Sequence, residues 1–140
     1  MTDDDVFAGE IAERDGQHPI GNLLSTSIVF VEGTASVRDV AVRLRSADVS
    51  LVVVGDEQQV FGVVSERDIV RAVALGVDLD TAIAAAIETD DLKWATVESS
   101  VDDVAEEMLE NYLRHILVRG NDGVLVGVVS MRDLLATYLF

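Results

Sequence analysis

The chain has 140 residues, of which 49% are hydrophobic and only 5% aromatic, and it carries a net charge of −16. That size accommodates one ordinary domain or two small ones, with a core built from Val, Leu, Ile and Ala. The charge and composition exclude several classes. Lys93 is the sole lysine, so phosphate-backbone binding to nucleic acid is not expected. There is no cysteine, hence no disulfide and no thiolate metal site. No apolar run approaches the roughly 18 residues that span a bilayer. Met1 to Asp5 is acidic rather than a basic-then-apolar leader. The expectation is a cytoplasmic protein without a membrane partner. Its dispersed carboxylates and near-absence of lysine read as a surface adapted to high salt, where screening removes self-repulsion.

In chain order, residues 1–19 read as an acidic tail, rich in Asp and Gly and without a periodic apolar pattern. A short strand follows near Ile28 to Val31. Ser36 then caps a helix whose apolar face is Val37, Val40, Ala41 and Leu44. Leu51 to Val54 is short, β-branched and bounded by turn residues, so it reads as a buried strand. Val60 to Val64 is a third strand, and a helix starts after Ser65. Residues 77–86 form a connector, with a helical signal at Ala82 to Ile87. The order then recurs: a strand at Trp94 to Val97, a helix capped by Ser100, strands at Ile116 to Val118 and Val124 to Val129, and a helix after Ser130. The last residues, Leu134 to Phe140, are too apolar for a solvated tail and are expected to pack on the other repeat or on a second subunit.

The recurrence is an internal duplication. Ser36-Val37-Arg38-Asp39-Val40-Ala41 matches Ser100-Val101-Asp102-Asp103-Val104-Ala105, 64 positions on. Gly62-Val63-Val64-Ser65-Glu66-Arg67-Asp68 matches Gly127-Val128-Val129-Ser130-Met131-Arg132-Asp133, 65 positions on. The extra residue falls in turns, where insertion costs little. A β-α-β-β-α repeat closed by Gly-Val-Val-Ser-x-Arg-Asp resembles the CBS domain, over roughly residues 20 to 140. The resemblance implies an α/β (α+β) fold in which two repeats, 20–76 and 87–140, pack through their sheets as a pseudo-symmetric pair with two clefts. It further implies an adenine nucleotide (AMP, ADP, ATP or a related adenosyl compound) as regulatory ligand, and a homodimer.

Chemistry points to the same corners. Asp68 and Asp133 lie in the first turn of a helix that follows a strand, three residues after Ser65 and Ser130. A carboxylate there can accept from two ribose hydroxyls, and the free backbone N–H groups of the helix start favour a nearby anion. Gly62 and Gly127 leave room for a chain segment or a base to approach. The competing reading is a helix capping box, Ser-x-x-Asp, which is all that Ser36 to Asp39 and Ser100 to Asp103 are taken to be. Arg114 and His115 precede a strand at the position where the family commonly carries phosphate-reaching cations; Ser50 and Leu51 stand there in the first repeat.

By the family pattern, the preferred site combines Asp133, Ser130, Val128, Arg114 and His115 with Leu24, Val29, Val49 and Ser50. The second combines Asp68, Ser65 and Val63 with residues near Lys93, and its phosphate grip is weaker. Arg67 and Arg132 have two readings, phosphate contact or pairing with carboxylates. Trp94 also has two, core packing or flanking an adenine. No P-loop, catalytic constellation or metal-ligand spacing is present, so neither an enzyme nor a catalytic cofactor is expected. The reading is a ligand-sensing regulatory module acting on an unidentified partner chain by a population shift. The alternative is a ligand-free dimerisation scaffold. Metal sensing by Glu106, Glu107 and Glu110 ranks below both, because such a helix face is ordinarily solvated.

Overall fold

A computed structural model describes residues 17–139. The expectation for the acidic tail falls mostly on residues outside that range; of the tail, only residues 17–19 are described. His18 and Pro19 are tied in: the Val101 N–H donates to the His18 carbonyl, and Pro19 bridges to Ser100.

The described chain forms six strands in two three-stranded sheets, with five α-helices. In the first sheet, β1 (Phe30–Val31) runs parallel to β2 (Leu51–Gly55), which pairs antiparallel with β3 (Val60–Ser65). α1 (Val37–Ala47) joins β1 to β2, and α2 (Glu66–Ala74) follows β3 directly. After the short α3 (Ala84–Ile87), the second sheet repeats this order with β4 (Trp94–Thr96), β5 (His115–Arg119) and β6 (Leu125–Ser130), carrying α4 (Val101–Glu110) and α5 (Met131–Leu139). The mixed α+β order matches the reading of the sequence, and strand ends differ by a residue or two, as fraying ends do.

Local chemistry explains the elements. Ser36 Oγ accepts from the Asp39 N–H, and Ser100 Oγ from the Asp103 N–H, each at 3.1 Å, satisfying one orphan donor per helix start. Both helices end with a left-handed residue at matched positions, Asp48 and Tyr112. The next N–H turns back in each case, Val49 to Leu44 and Leu113 to Met108. Val52, Val53 and Val54 are all buried, as are Ile116, Leu117 and Val118. Continuous burial, rather than alternation, marks strands covered on both faces.

The chain divides into two compact units, and they do not follow the repeat boundaries. One unit is Ser27–Leu92; the other joins Lys93–Phe140 to the described residues up to Thr26. Each repeat's lead-in segment therefore belongs to the other repeat's unit. Ser25 and Val128 exchange two backbone hydrogen bonds, and Thr89 and Val63 exchange another two, all of 2.8–3.1 Å. Ser25 and Thr89 are 64 positions apart, the spacing of the duplication.

In the unit of the second repeat, Ile20, Met108, Val118, Val129 and Leu134 share one core. Leu134 thus anchors α5 within its own unit, while Leu135, Tyr138 and Leu139 stay exposed. In the other unit, Val40, Leu44, Val52, Val64 and Ala84 form the core.

Candidate functional site

The two corners that the sequence singles out are where β3 meets α2 and where β6 meets α5. In the second, the β5–β6 register sets His115 opposite Ser130. The Met131 N–H donates to the Arg114 carbonyl at 2.7 Å. Strand pairing thereby fixes the backbone of the two basic residues beside the start of α5. Arg114 and Arg132 are exposed, and His115 is half-buried. On the other edge of β6, the lead segment places Leu24 and Ser25 against Gly127. A Cβ at Gly127 would stand 2.9 Å from Leu24 Cβ and 3.0 Å from the Ser25 carbonyl oxygen. The glycine is required by a close approach, and the approaching segment is the chain's own.

Asp133 Oδ2 accepts from the Ser130 N–H at 3.2 Å, and Ser130 Oγ accepts from the Asp133 N–H at 3.1 Å. This is a capping box, so the structural reading of Ser-x-x-Asp holds here. It uses one carboxylate oxygen. No hydrogen bond reaches Oδ1 from the described residues, and Asp133 is only partly buried. One unit therefore gathers Asp133, Ser130, Val128, Arg114, His115, Arg132 and Leu24.

The matching corner of the other unit is closed. Asp68 Oδ2 accepts from the Ser65 N–H (2.9 Å) and the Ser65 hydroxyl (3.1 Å), and Ser65 Oγ accepts from the Asp68 N–H (3.2 Å). Arg71 Nη1 donates to Oδ1 at 3.2 Å, and the Thr89 hydroxyl reaches both oxygens at 3.3 and 3.4 Å. Asp68 is 5% exposed. Both of its oxygens are engaged, which suits a buried charge. Leu51 lies opposite Ser65, and the Glu66 N–H donates to the Ser50 carbonyl, so the strand-start positions match those of His115 and Arg114 without their charge.

Glu88 lies over Gly62 as Leu24 lies over Gly127. A Cβ at Gly62 would come within 2.9 Å of both Glu88 Cδ and Oε2. Glu88 Oε2 is buried and has no hydrogen-bond partner among the described residues. Loss of solvent, and then the charge of Asp90, push its carboxyl above the ordinary value of 4.5.

Val29, Val49 and Ser50 belong to the unit of Asp68, and Lys93 to that of Asp133. Trp94 is half-buried, with the Arg119 guanidinium 5.5 Å from its ring centroid, a cation–π contact that occupies one face. Sequence reasoning passed over Arg71, Glu88 and Thr89. A signal for each was present: Arg71 stands where the second repeat has Ala136, and Glu88 and Thr89 stand where the first repeat has Leu24 and Ser25. Among the described residues, no group of three His, Cys, Asp or Glu could hold a metal ion, and no helix is long and apolar enough to cross a membrane.

The family model for the CBS domain matches twice, at residues 20–75 and 84–139. A solved structure, the CBS domain protein PAE2072 from Pyrobaculum aerophilum complexed with AMP, is similar at 35% identity and a TM-score of 0.75, covering 83% of this chain and 89% of that one. An uncharacterised conserved protein from Pyrococcus horikoshii is similar at 28% identity and a TM-score of 0.80, covering 87% and 92%. An uncharacterised 17.7 kDa protein of Acidianus ambivalens is 32% identical over 82% of this chain and 70% of its own length. With two matched domains spanning most of its length, the chain belongs to the CBS domain family, as a tandem pair.

Proposed function

We propose that this chain is a regulatory module that senses an adenine nucleotide (AMP, ADP or ATP) at the Asp133 corner and signals to a partner chain. The observation that carries the reading is the state of that corner. A partly buried carboxylate keeps one oxygen clear of hydrogen bonds, beside a helix start and the strand-start pair Arg114 and His115. A carboxylate can take both hydroxyls of a ribose, the helix start favours an anion, and the Arg114 guanidinium, with the His115 imidazole as a hydrogen-bond donor, complements phosphate. Leu24 offers the base an apolar neighbour. The likeness to a protein solved with AMP, at 35% identity, supports the same ligand class.

In this reading, Ser130 and Val128 frame the sugar and Arg132 stands ready for phosphate or a neighbouring carboxylate. The Asp68 corner, with Ser65 and Val63, is the lesser candidate. The ligand acts by binding one arrangement of the pair better than another, and the output goes to a second copy of the chain or to a separate regulated protein.

One observation favours a ligand-free scaffold instead: both corner aspartates cap their own helices. Calorimetry with AMP, ADP and ATP in molar KCl separates the two. We expect saturable heat with at least one nucleotide, and loss of that heat in Asp133→Ala while the folded far-ultraviolet spectrum is retained. No heat and no thermal shift with any nucleotide would leave the scaffold.

A further inference from the structure

The two corners are copies in backbone and differ at three matched side chains. Leu24, Ser25 and Ala136 surround the Asp133 corner, by sequence position; Glu88, Thr89 and Arg71 hold those positions around Asp68. Thr89 and Arg71 engage the Asp68 carboxylate directly. For Asp68 to grip a ribose, those bonds must be given up, and a buried carboxylate that exchanges good donors for others gains little.

Glu88 acts on the base and phosphate instead. Its carboxyl fills the space over Gly62 that Leu24 fills over Gly127. Oε2 is already buried without a donor. A purine face closing over it would strip its remaining water and return no hydrogen bond, a cost borne by a charged group. A phosphate would meet the charge of Glu88 with Asp90 close by, and without the strand-start guanidinium of Arg114 and imidazole of His115 found in the other repeat. Arg67 and Arg132 are common to both corners, so they do not discriminate.

We infer that Glu88 is the specificity-determining residue between the two corners: it bars adenine nucleosides and nucleotides from the Asp68 corner, so that each chain takes one nucleotide, at Asp133. The inference rests on the reading of the Asp133 corner as the nucleotide site. The duplication, in this view, has been divided into one sensing corner and one corner whose bonds tie a lead segment to its sheet.

The test copies the Leu24 corner onto the Glu88 corner. Calorimetry with AMP on the wild-type chain is expected to give one site, lost in Asp133→Ala and weakened about tenfold or more in Leu24→Glu. In the Asp133→Ala background, adenosine is the probe, because it needs no phosphate cation. The triple change Glu88→Leu, Thr89→Ser, Arg71→Ala is expected to create one adenosine site there. Glu88→Leu alone is expected to recover part of it, because Arg71 and Thr89 still engage Asp68, and Glu88→Gln, which removes only the charge, a smaller part. Thermal melts confirm that each variant is folded.

Two AMP per wild-type chain would overturn the inference and leave the proposed function standing. So would absence of adenosine binding in the folded triple variant, or binding in the triple variant that Glu88→Leu alone does not begin to restore. If the wild type takes no AMP but the triple variant takes adenosine, the role of Glu88 is upheld and the proposed nucleotide sensing is what fails.

Discussion

Asp68 and Asp133 are the same residue in the same motif, and their neighbours give them different work. Asp68 accepts from a backbone N–H, two hydroxyls and a guanidinium while 5% exposed. Asp133 accepts one hydrogen bond from the described residues, from the Ser130 N–H, and is partly exposed. Removing Asp68 takes away a buried carboxylate that holds the Ser65 N–H and hydroxyl, Thr89 and the largely exposed Arg71. Asp68→Ala is therefore expected to lower unfolding free energy by about 2–3 kcal/mol, and Asp133→Ala by about 1 kcal/mol, the value of a helix cap. Urea denaturation measures both. The order of the two variants is expected to reverse when nucleotide affinity is measured instead, and equal stability losses would contradict the division of labour.

At the scale of elements, the decisive feature is the exchanged lead segment. Each sheet gains one extra bridge along the free edge of its third strand, and the glycine at that bridge is what lets the segment lie flat. Gly127→Ala would place a methyl 2.9 Å from Leu24 Cβ and 3.0 Å from the Ser25 carbonyl. Neither is the loose end of a side chain, so backbone must shift. The expected cost is about 1–3 kcal/mol, as for overpacking elsewhere, together with weaker AMP binding as Leu24 is displaced. Gly123, which meets nothing within 4 Å but has a positive φ of 81°, is the comparison: Gly123→Ala strains a turn and is expected to leave AMP affinity unchanged. Calorimetry and melts on both variants make the check.

For the whole molecule, charge dominates. The sequence sets 26 acidic residues against 10 basic ones, so the folded chain repels itself at low ionic strength. The exposed Arg38–Asp80 pair contributes little and is itself screened. The melting temperature is expected to rise steadily between about 0.1 and 2 M KCl, since the screening length falls from about 10 Å to below 3 Å over that range. A flat or falling melting temperature would remove the salt-adaptation reading. The same expectation governs the choice of molar salt for ligand binding, where the acidic surface competes least with an anionic ligand.

Much of this protein could be read from residue order alone. The duplication, the two capped helices, the buried valine-rich strands and the strand-to-helix corners all follow from local pattern, because periodicity, caps and turn residues act over a few positions. Gly62 and Gly127 even announced that something approaches closely. Which segment approaches was decided by the tertiary structure, since a bridge such as Ser25 to Val128 joins residues about a hundred positions apart and leaves no periodic trace. The same holds for the difference between the two aspartates. Their motif is identical, and only packing shows that Thr89 reaches Asp68 across 21 positions, or that the Glu88 Oε2 atom is buried over Gly62 without a hydrogen-bond partner among the described residues. Short-range chemistry determined the scaffold and its symmetry; long-range pairing, which depends on where the whole chain folds back, determined how the two corners came to differ.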